Sequence, residues 1–251
     1  MKLLLDFGNS RCKWALLDKE QFSDSGAISY VDDGGQPQLV AVTQQLPVVG
    51  INSIHIVSVL GKQLDAQIAK ALAPYEHYFY TSQLLAHGVK LAYADATQYG
   101  NDRYIALLAA HHLYSGSKII IDCGTATTFD VMDETGQHLG GLIIPGYEAM
   151  LNGLVNNTQQ LQRDFKIKDL HLLAKNAKEA LSCGTMLCIQ MGVKGIVDRM
   201  MMEMKAFSPE IIATGGAQEE VLASMDLEVV REPDLILKGL SMLARSNDNS
   251  L

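Results

Sequence analysis

Leu3-Leu-Leu-Asp-Phe-Gly-Asn-Ser10 and Ile119-Ile-Ile-Asp-Cys-Gly-Thr-Ala126 align residue for residue. In each, an apolar run ends in Asp-x-Gly (Asp6 and Gly8, Asp122 and Gly124), and a small polar residue follows (Asn9, Thr125). A second strand comes next, Lys13 to Leu17 in one copy and Phe129 to Met132 in the other. The pattern predicts two hairpins whose turns suit anions. Glycine permits positive φ and lets backbone N–H groups approach a phosphate, while Asn, Ser or Thr adds a side-chain donor. An aspartate beside phosphate makes sense when it faces a cation. Either copy alone also fits an ordinary glycine-turned hairpin. The repetition favours two facing turns that hold one nucleotide triphosphate and its metal.

Composition bounds what the repeat belongs to. The 251 residues are 48% hydrophobic, enough for one large domain or two intimate halves. A net charge of −8 and a pI near 5.3 argue against a nucleic-acid surface. Cys12, Cys123, Cys183 and Cys188 form no Cys-x-x-Cys pair and have apolar neighbours. They are expected as small core residues in a reducing compartment, with no zinc site. Three leucines before Asp6 are too few for a signal-peptide core, and no apolar run is expected to span a membrane. A soluble, cytoplasmic protein is expected.

Around the repeat, the chain alternates strands and helices. The first hairpin leads to a polar loop (Asp32 to Gly35), a helix over Gln38 to Gln45, a strand over Ser53 to Val59 and a helix over Lys62 to Ala73. A strand over His77 to Tyr80 precedes a helix over Asp102 to Tyr114, where Ile105, Leu108, Ala109 and His112 share a face. The second hairpin adds a strand over Gln137 to Ile144 and turns at Pro145-Gly146 into a helix. Lys175 to Phe207 is helical, with Gly184, Gly192 and Gly195 as breaks or close-packing points. Ile211 to Gly216 reads as strand into loop, followed by a short helix, a strand over Leu227 to Val230 and a helix over Asp234 to Ala244. Ser246 to Leu251 reads as a frayed tail. The pattern is α/β, in two mixed-sheet halves, 1–116 and 117–251.

Five motifs then occur in one order: Asp6-Phe-Gly-Asn-Ser-Arg-Cys-Lys13, Gly100-Asn-Asp-Arg103, Asp122-Cys-Gly-Thr-Ala-Thr-Thr128, Gly140-Gly-Leu-Ile-Ile-Pro-Gly146 and Thr214-Gly-Gly216. Together they resemble the type III pantothenate kinases of the actin, Hsp70 and sugar-kinase superfamily, over Lys2 to about Leu243. The resemblance implies a duplicated actin-like (ribonuclease H-like) ATPase fold whose halves flank a nucleotide cleft. It implies ATP-dependent phosphorylation of pantothenate, the first step towards coenzyme A. A regulatory member of the family would keep the fold, but Asp6, Asp102, Arg103, Asp122 and Thr125 are all retained. A sugar-type kinase would lack the Gly100 to Arg103 strip with Tyr93.

Residue by residue, the resemblance makes Asp102 the general base for the pantothenate hydroxyl, although a carboxylate at a helix start is also an ordinary N-terminal stabiliser. Tyr93, Gly100, Asn101, Asp102 and Arg103 would bind pantothenate, the guanidinium suiting its carboxylate. Taken alone, Arg103 fits an exposed helical arginine and Tyr93 a packed loop aromatic. Asp6, Phe7, Gly8, Asn9, Ser10, Arg11, Cys12 and Lys13 would line the nucleotide, with Asp6 meeting magnesium through water; Arg11 and Lys13, on one strand face, also fit a solvated surface. Ser10 stands where the family has threonine and keeps the hydroxyl. Thr125 would contact ATP phosphate, Gly215 the nucleoside, and Asp122 a monovalent cation, potassium or ammonium. Thr185 would reach the pantothenate site of a partner subunit, making the enzyme a homodimer. His111-His112 are assigned to packing or surface, the Met200-Met-Met-Glu-Met204 run to core or interface, and Asp130 and Asp133 to the solvent side of the second hairpin.

Overall fold

The computed structural model describes residues 1–30, 39–84, 87–155, 170–204, 208–223, 225–226 and 228–248. In chain order its elements begin with β1 (Lys2–Phe7), β2 (Arg11–Asp18), β3 (Gln21–Ser29), α1 (Leu39–Gln45), β4 (Ser53–Ser58), α2 (Lys62–Ala71), β5 (Glu76–Tyr80) and α3 (Asn101–Leu113). They continue with β6 (Lys118–Cys123), β7 (Ala126–Met132), β8 (His138–Pro145), α4 (Tyr147–Val155), α5 (Ala177–Glu203), β9 (Glu210–Thr214), α6 (Gln218–Val221), β10 (Val230–Arg231) and α7 (Leu235–Asp248). Two compact units result: Met1–Ser115 with Gly136–His138 and Asp234–Leu251, and Gly116–Thr135 with Leu139–Pro233.

Each unit holds a five-stranded mixed sheet, ordered β3-β2-β1-β4-β5 in the first and β8-β7-β6-β9-β10 in the second. The orders are the same when the strands are counted from each hairpin. In both, the hairpin pair is antiparallel and the next strand is added in parallel to its first member. The central strands β1, β4, β6 and β9 read as near-continuous apolar runs because both of their faces are covered. In the first unit Leu3, Leu5, Phe7, Cys12, Ile54, Ile56 and Ile68 form the core. In the second, Ile119, Ile121, Phe129, Ile189, Val193 and Val197 do so. The C-terminal helix α7 packs on α3, β1, β2 and β4 of the first unit.

Several elements depart from expectation. β3 was not anticipated: its side chains are exposed or half-buried throughout, so Gln21–Ser29 lacks an apolar face to announce it. α5 runs unbroken through Gly184, Gly192 and Gly195, and a Cβ at any of the three would meet nothing within 4 Å. They are neither breaks nor close-packing points. Among the described residues α5 alone is long and apolar enough to cross a membrane, which the sequence reading overlooked. Its buried side is core of the second unit. The last strand is Val230–Arg231 instead of Leu227 to Val230, and α7 continues through Ser246 to Asp248. Asp130 is buried within β7, not on its solvent side, Cys188 is exposed, and His112 is exposed while Arg103 to Ala110 are buried all round α3. The expected Asp32 to Gly35 loop, the helix start at Gln38, the helix end at Phe207 and Leu227 lie outside the described residues.

Candidate active site

In the first hairpin, Asp6 is the register partner of Lys13, and Phe7 of Cys12. The Gly8 N–H donates to the Arg11 carbonyl (3.1 Å), which leaves Asn9-Ser10 as the tip. Side chains hold this turn from behind. The Tyr30 hydroxyl donates to the Gly8 carbonyl, its N–H donates to the Ser10 carbonyl (3.3 Å), and its ring tilts against Phe7. The Val59 N–H donates to the Phe7 carbonyl (3.1 Å). Asp6 is buried, Asn9 and Arg11 are exposed, and Gly8, Ser10 and Lys13 are half-buried. Phe7 and Cys12 are fully buried in the core, so of this segment they have only main chain to offer a ligand.

The second hairpin is one residue shorter at its turn. Asp122 pairs with Thr128 and Cys123 with Thr127, and the Gly124 N–H donates to the Ala126 carbonyl (3.0 Å), so the exposed Thr125 stands alone at the tip. Backbone packing holds it. The Gly146 N–H donates to the Thr125 carbonyl (3.0 Å), and a Cβ on Gly146 would lie 2.4 Å from the Gly124 carbonyl oxygen. Gly215, at φ +93°, follows β9, and a Cβ there would lie 2.5 Å from both Asp122 Oδ1 and the Cys123 carbonyl oxygen. The Ala217 N–H donates to that same carbonyl (3.0 Å). Thus three of the five motifs meet around Asp122. Neither Gly8 nor Gly124 has positive φ, contrary to expectation. Their lack of a side chain keeps the N–H edge of each turn uncovered, without any left-handed backbone.

A buried thiol sits beside each aspartate. Burial, then the nearby Asp6, raises Cys12 well above the usual thiol range. Burial, then Asp122, pushes Cys123 up to about 12. Both stay neutral near pH 7 and add no negative charge beside a phosphate.

The Gly100 to Arg103 strip opens α3 in the first unit. Asn101 Nδ2 donates to the Ser58 carbonyl (3.0 Å), and its Oδ1 accepts the Ser82 N–H (3.0 Å). Ser58 is the register partner of Phe7, so the start of α3 is anchored at the sheet end that carries the first turn. Asn101 was expected to bind substrate. Its carboxamide is engaged by protein at both ends, which fixes the start of the strip. Asp102 is half-buried, and its Oδ1 accepts the Arg103 N–H (2.7 Å). Arg103 is buried at 6% exposure, unlike a solvated helical arginine, with its Cζ 4.5 Å from the centre of the Tyr99 ring. Such stacking holds the guanidinium plane in place over the ring.

Tyr99 in turn meets Tyr93 edge-on (5.0 Å between centroids) and His138 (5.1 Å), and Tyr93 lies 6.2 Å from His138. Sequence reasoning missed Tyr99 and His138. Tyr99 directly precedes the strip and was open to suspicion, but His138 carried no signal, being a lone histidine at the start of a strand. Thr185 is buried on α5 of the second unit.

A model of the type III pantothenate kinase family matches residues 2–199. The chain belongs to that family. A type III pantothenate kinase of Nitrosococcus oceani is 31% identical to it over 257 residues, covering 98% of this chain and 94% of that protein. Among solved structures, a conserved Baf-family protein from Campylobacter jejuni matches with a TM-score of 0.62 at 19% identity, covering 98% of this chain and 99% of the other. A ROK-family glucokinase from Streptomyces griseus, in complex with glucose and AMPPNP, matches with a TM-score of 0.54 at 11% identity, covering 98% and 99%. At these identities the likeness carries the fold alone. The twice-used strand order is that of a duplicated actin-like ATPase, and in this member of the type III pantothenate kinases it presents one Asp-x-Gly turn per unit.

Proposed function

We propose that this chain works as the kinase its family is named for, moving the γ-phosphoryl group of ATP to the primary hydroxyl of pantothenate, with Asp102 as general base. The observation that carries this reading is the Asn101 anchor, which ties the Asp102-Arg103 pair to the sheet end bearing the first turn. Asp102 accepts the hydroxyl proton as the oxygen attacks the γ-phosphorus; phosphoryl transfer needs little more than this, positioning and charge neutralisation. Arg103, backed by Tyr99, takes the pantothenate carboxylate, and Tyr93 lines the same pocket. Asn9, Ser10 and Lys13 contact phosphate from the first turn. In the second unit Thr125 contacts phosphate, and Gly215 keeps the backbone open to the nucleoside.

Each turn offers a single aspartate, and no cluster of three His, Cys, Asp or Glu side chains occurs among the described residues. One carboxylate fits a magnesium ion whose other positions go to water and phosphate oxygens, and Asp6 would hold it through water. Asp122 would hold potassium or ammonium. Bound there, the ions would supply neutralising charge at the phosphates.

The outer face of α5 supports a homodimer. Cys188, Met191 and Met202 are exposed along it, and Thr185 adjoins the exposed Gly184. All four cysteines are free, which supports a reducing, cytoplasmic setting.

ATP-dependent phosphorylation of pantothenate, assayed in potassium and in sodium, tests the reading. Asp102→Asn is expected to lower kcat by about 10²- to 10⁴-fold. No turnover by the wild type with either cation would sink the kinase reading, and undiminished turnover by the variant would remove Asp102 as base.

A further inference from the structure

The Tyr93 loop is fastened by a short piece of chain from far along the sequence. Gly136–His138 counts with the first unit, although the rest of β8 runs in the sheet of the second. It lies parallel to the chain at Lys90. The Lys90 N–H donates to the Gly136 carbonyl (2.9 Å), the His138 N–H donates to the Lys90 carbonyl (2.8 Å), and Gln137 Nε2 donates to the same carbonyl (3.3 Å). The approach is close enough that a Cβ on Gly136 would lie 2.4 Å from the Gly88 carbonyl oxygen.

This clip delivers one side chain to the acceptor pocket. The His138 imidazole has no exposed surface, receives the Ala92 N–H at Nδ1 (3.4 Å), and stands against both Tyr93 and Tyr99. Tyr99 is the ring under the Arg103 guanidinium. We propose that His138 is a positioning residue for pantothenate recognition: its ring packs against both Tyr93 and Tyr99, which meet each other edge-on, and by fixing that pair sets where the Arg103 fork points. The inference rests on the reading of Arg103 and Tyr93 as the pantothenate pocket.

Ring contact is the device, so the ring and the Nδ1 acceptor must be removed separately. His138→Phe keeps an aromatic ring against the two tyrosines and loses the acceptor; His138→Asn keeps an acceptor near Nδ1 and loses the ring. Aromatic packing of this kind predicts that His138→Asn and His138→Ala raise the KM for pantothenate about five- to tenfold, with the KM for ATP unchanged. His138→Phe should stay within about twofold of wild type on the same grounds. Gln137→Ala removes one side-chain bond but keeps both backbone bonds between Lys90 and Gly136–His138 and all three rings, and should leave both KM values in place. Should His138→Ala not fold, the comparison of Phe with Asn carries the same test. A wild-type pantothenate KM in His138→Asn, a parallel rise in the KM for ATP, or an equal loss in His138→Phe would each overturn the proposal. Wild-type protein that turns over pantothenate in the same assay separates these failures from failure of the kinase reading itself.

Discussion

Around Asp6 the turn is held by side chain, with the Tyr30 hydroxyl on the Gly8 carbonyl and the Tyr30 ring on Phe7. Around Asp122 it is held by backbone, pressed between Gly146 on one side and Gly215 on the other. The strand order beneath them is the same. The difference starts with one residue: the first turn closes over Asn9 and Ser10, the second over Thr125 alone. Beyond the turn the copies are therefore out of step, and Lys13 stands where the second hairpin has Thr128, not Phe129. With side chains alternating along a strand, that single step sets the half-buried Lys13 opposite Asp6 and the half-buried Thr128 opposite Asp122, while the Phe129 ring falls opposite Ile121 in the core. The longer turn brings two polar tip residues and a lysine, a set suited to a highly charged phosphate end. The shorter one brings a single hydroxyl in a frame with little freedom to adjust.

The strongest way to break this contrast is to remove each charge in turn. Asp6→Asn should lower kcat by about 10²- to 10³-fold, the range seen when one preorganised electrostatic group is lost from a site. Asp122→Asn should instead erase the difference between potassium and sodium while leaving the dependence on magnesium. Steady-state rates over a matrix of the three ions decide it, and identical ion profiles for the two variants would make the turns equivalent.

Stability separates them next. Gly215→Ala and Gly146→Ala each drive a Cβ into backbone that cannot retreat, and overpacking of this sort costs about 1–3 kcal/mol. At Gly215 the φ of +93° adds about 1–2 kcal/mol more for a residue with a side chain. Gly8→Ala meets only the Arg11 carbonyl oxygen, at 3.4 Å, and should cost less than about 1 kcal/mol. Urea midpoints at unchanged m-value would show the order Gly215, Gly146, Gly8. A Gly8→Ala variant as unstable as Gly215→Ala would mean that the first turn is clamped as well.

Much of this was legible before any coordinates. Apolar strands ending in Asp-x-Gly announce themselves because burial of β1 and β6 on both faces demands unbroken apolar runs, and a glycine turn must follow. Motif order then placed Asp6, Asp102, Arg103 and Asp122 correctly on β1, the start of α3 and β6. What stayed hidden depends on contacts distant in sequence. β3 pairs only along an edge, so its half-polar sequence carries no core signal. α5 looked interruptible at three glycines, yet its buried face supplies the stability that their poor helix propensity withholds. The one-residue difference between the turns is a matter of register, which the aligned octapeptides do not contain. His138 is the extreme case, since its neighbours in the pocket lie some 40 residues upstream.

The smallest test concerns one hydroxyl. Tyr30→Phe keeps the ring on Phe7 and removes only the donor to the Gly8 carbonyl, so the loss should be about 1 kcal/mol, with a KM for ATP raised a few-fold as Asn9 and Ser10 lose their fixed position. Burial, followed by the negative potential of Cys12 and Asp6, pushes the Tyr30 phenol well above its ordinary value, so the folded protein keeps it as a donor. In the unfolded chain it ionises near pH 10. A folded pKa above the unfolded one means that the contribution is complete below about pH 10 and declines as the pH rises further. The stability gap between wild type and Tyr30→Phe should therefore be flat from neutral pH to about 10 and shrink beyond it. At the second turn the corresponding hold is backbone, the Gly146 N–H on the Thr125 carbonyl and the Ala217 N–H on the Cys123 carbonyl. A gap that already narrows between pH 7 and 9, or a variant with wild-type stability and wild-type KM for ATP, would show that the first turn is not held by this side chain.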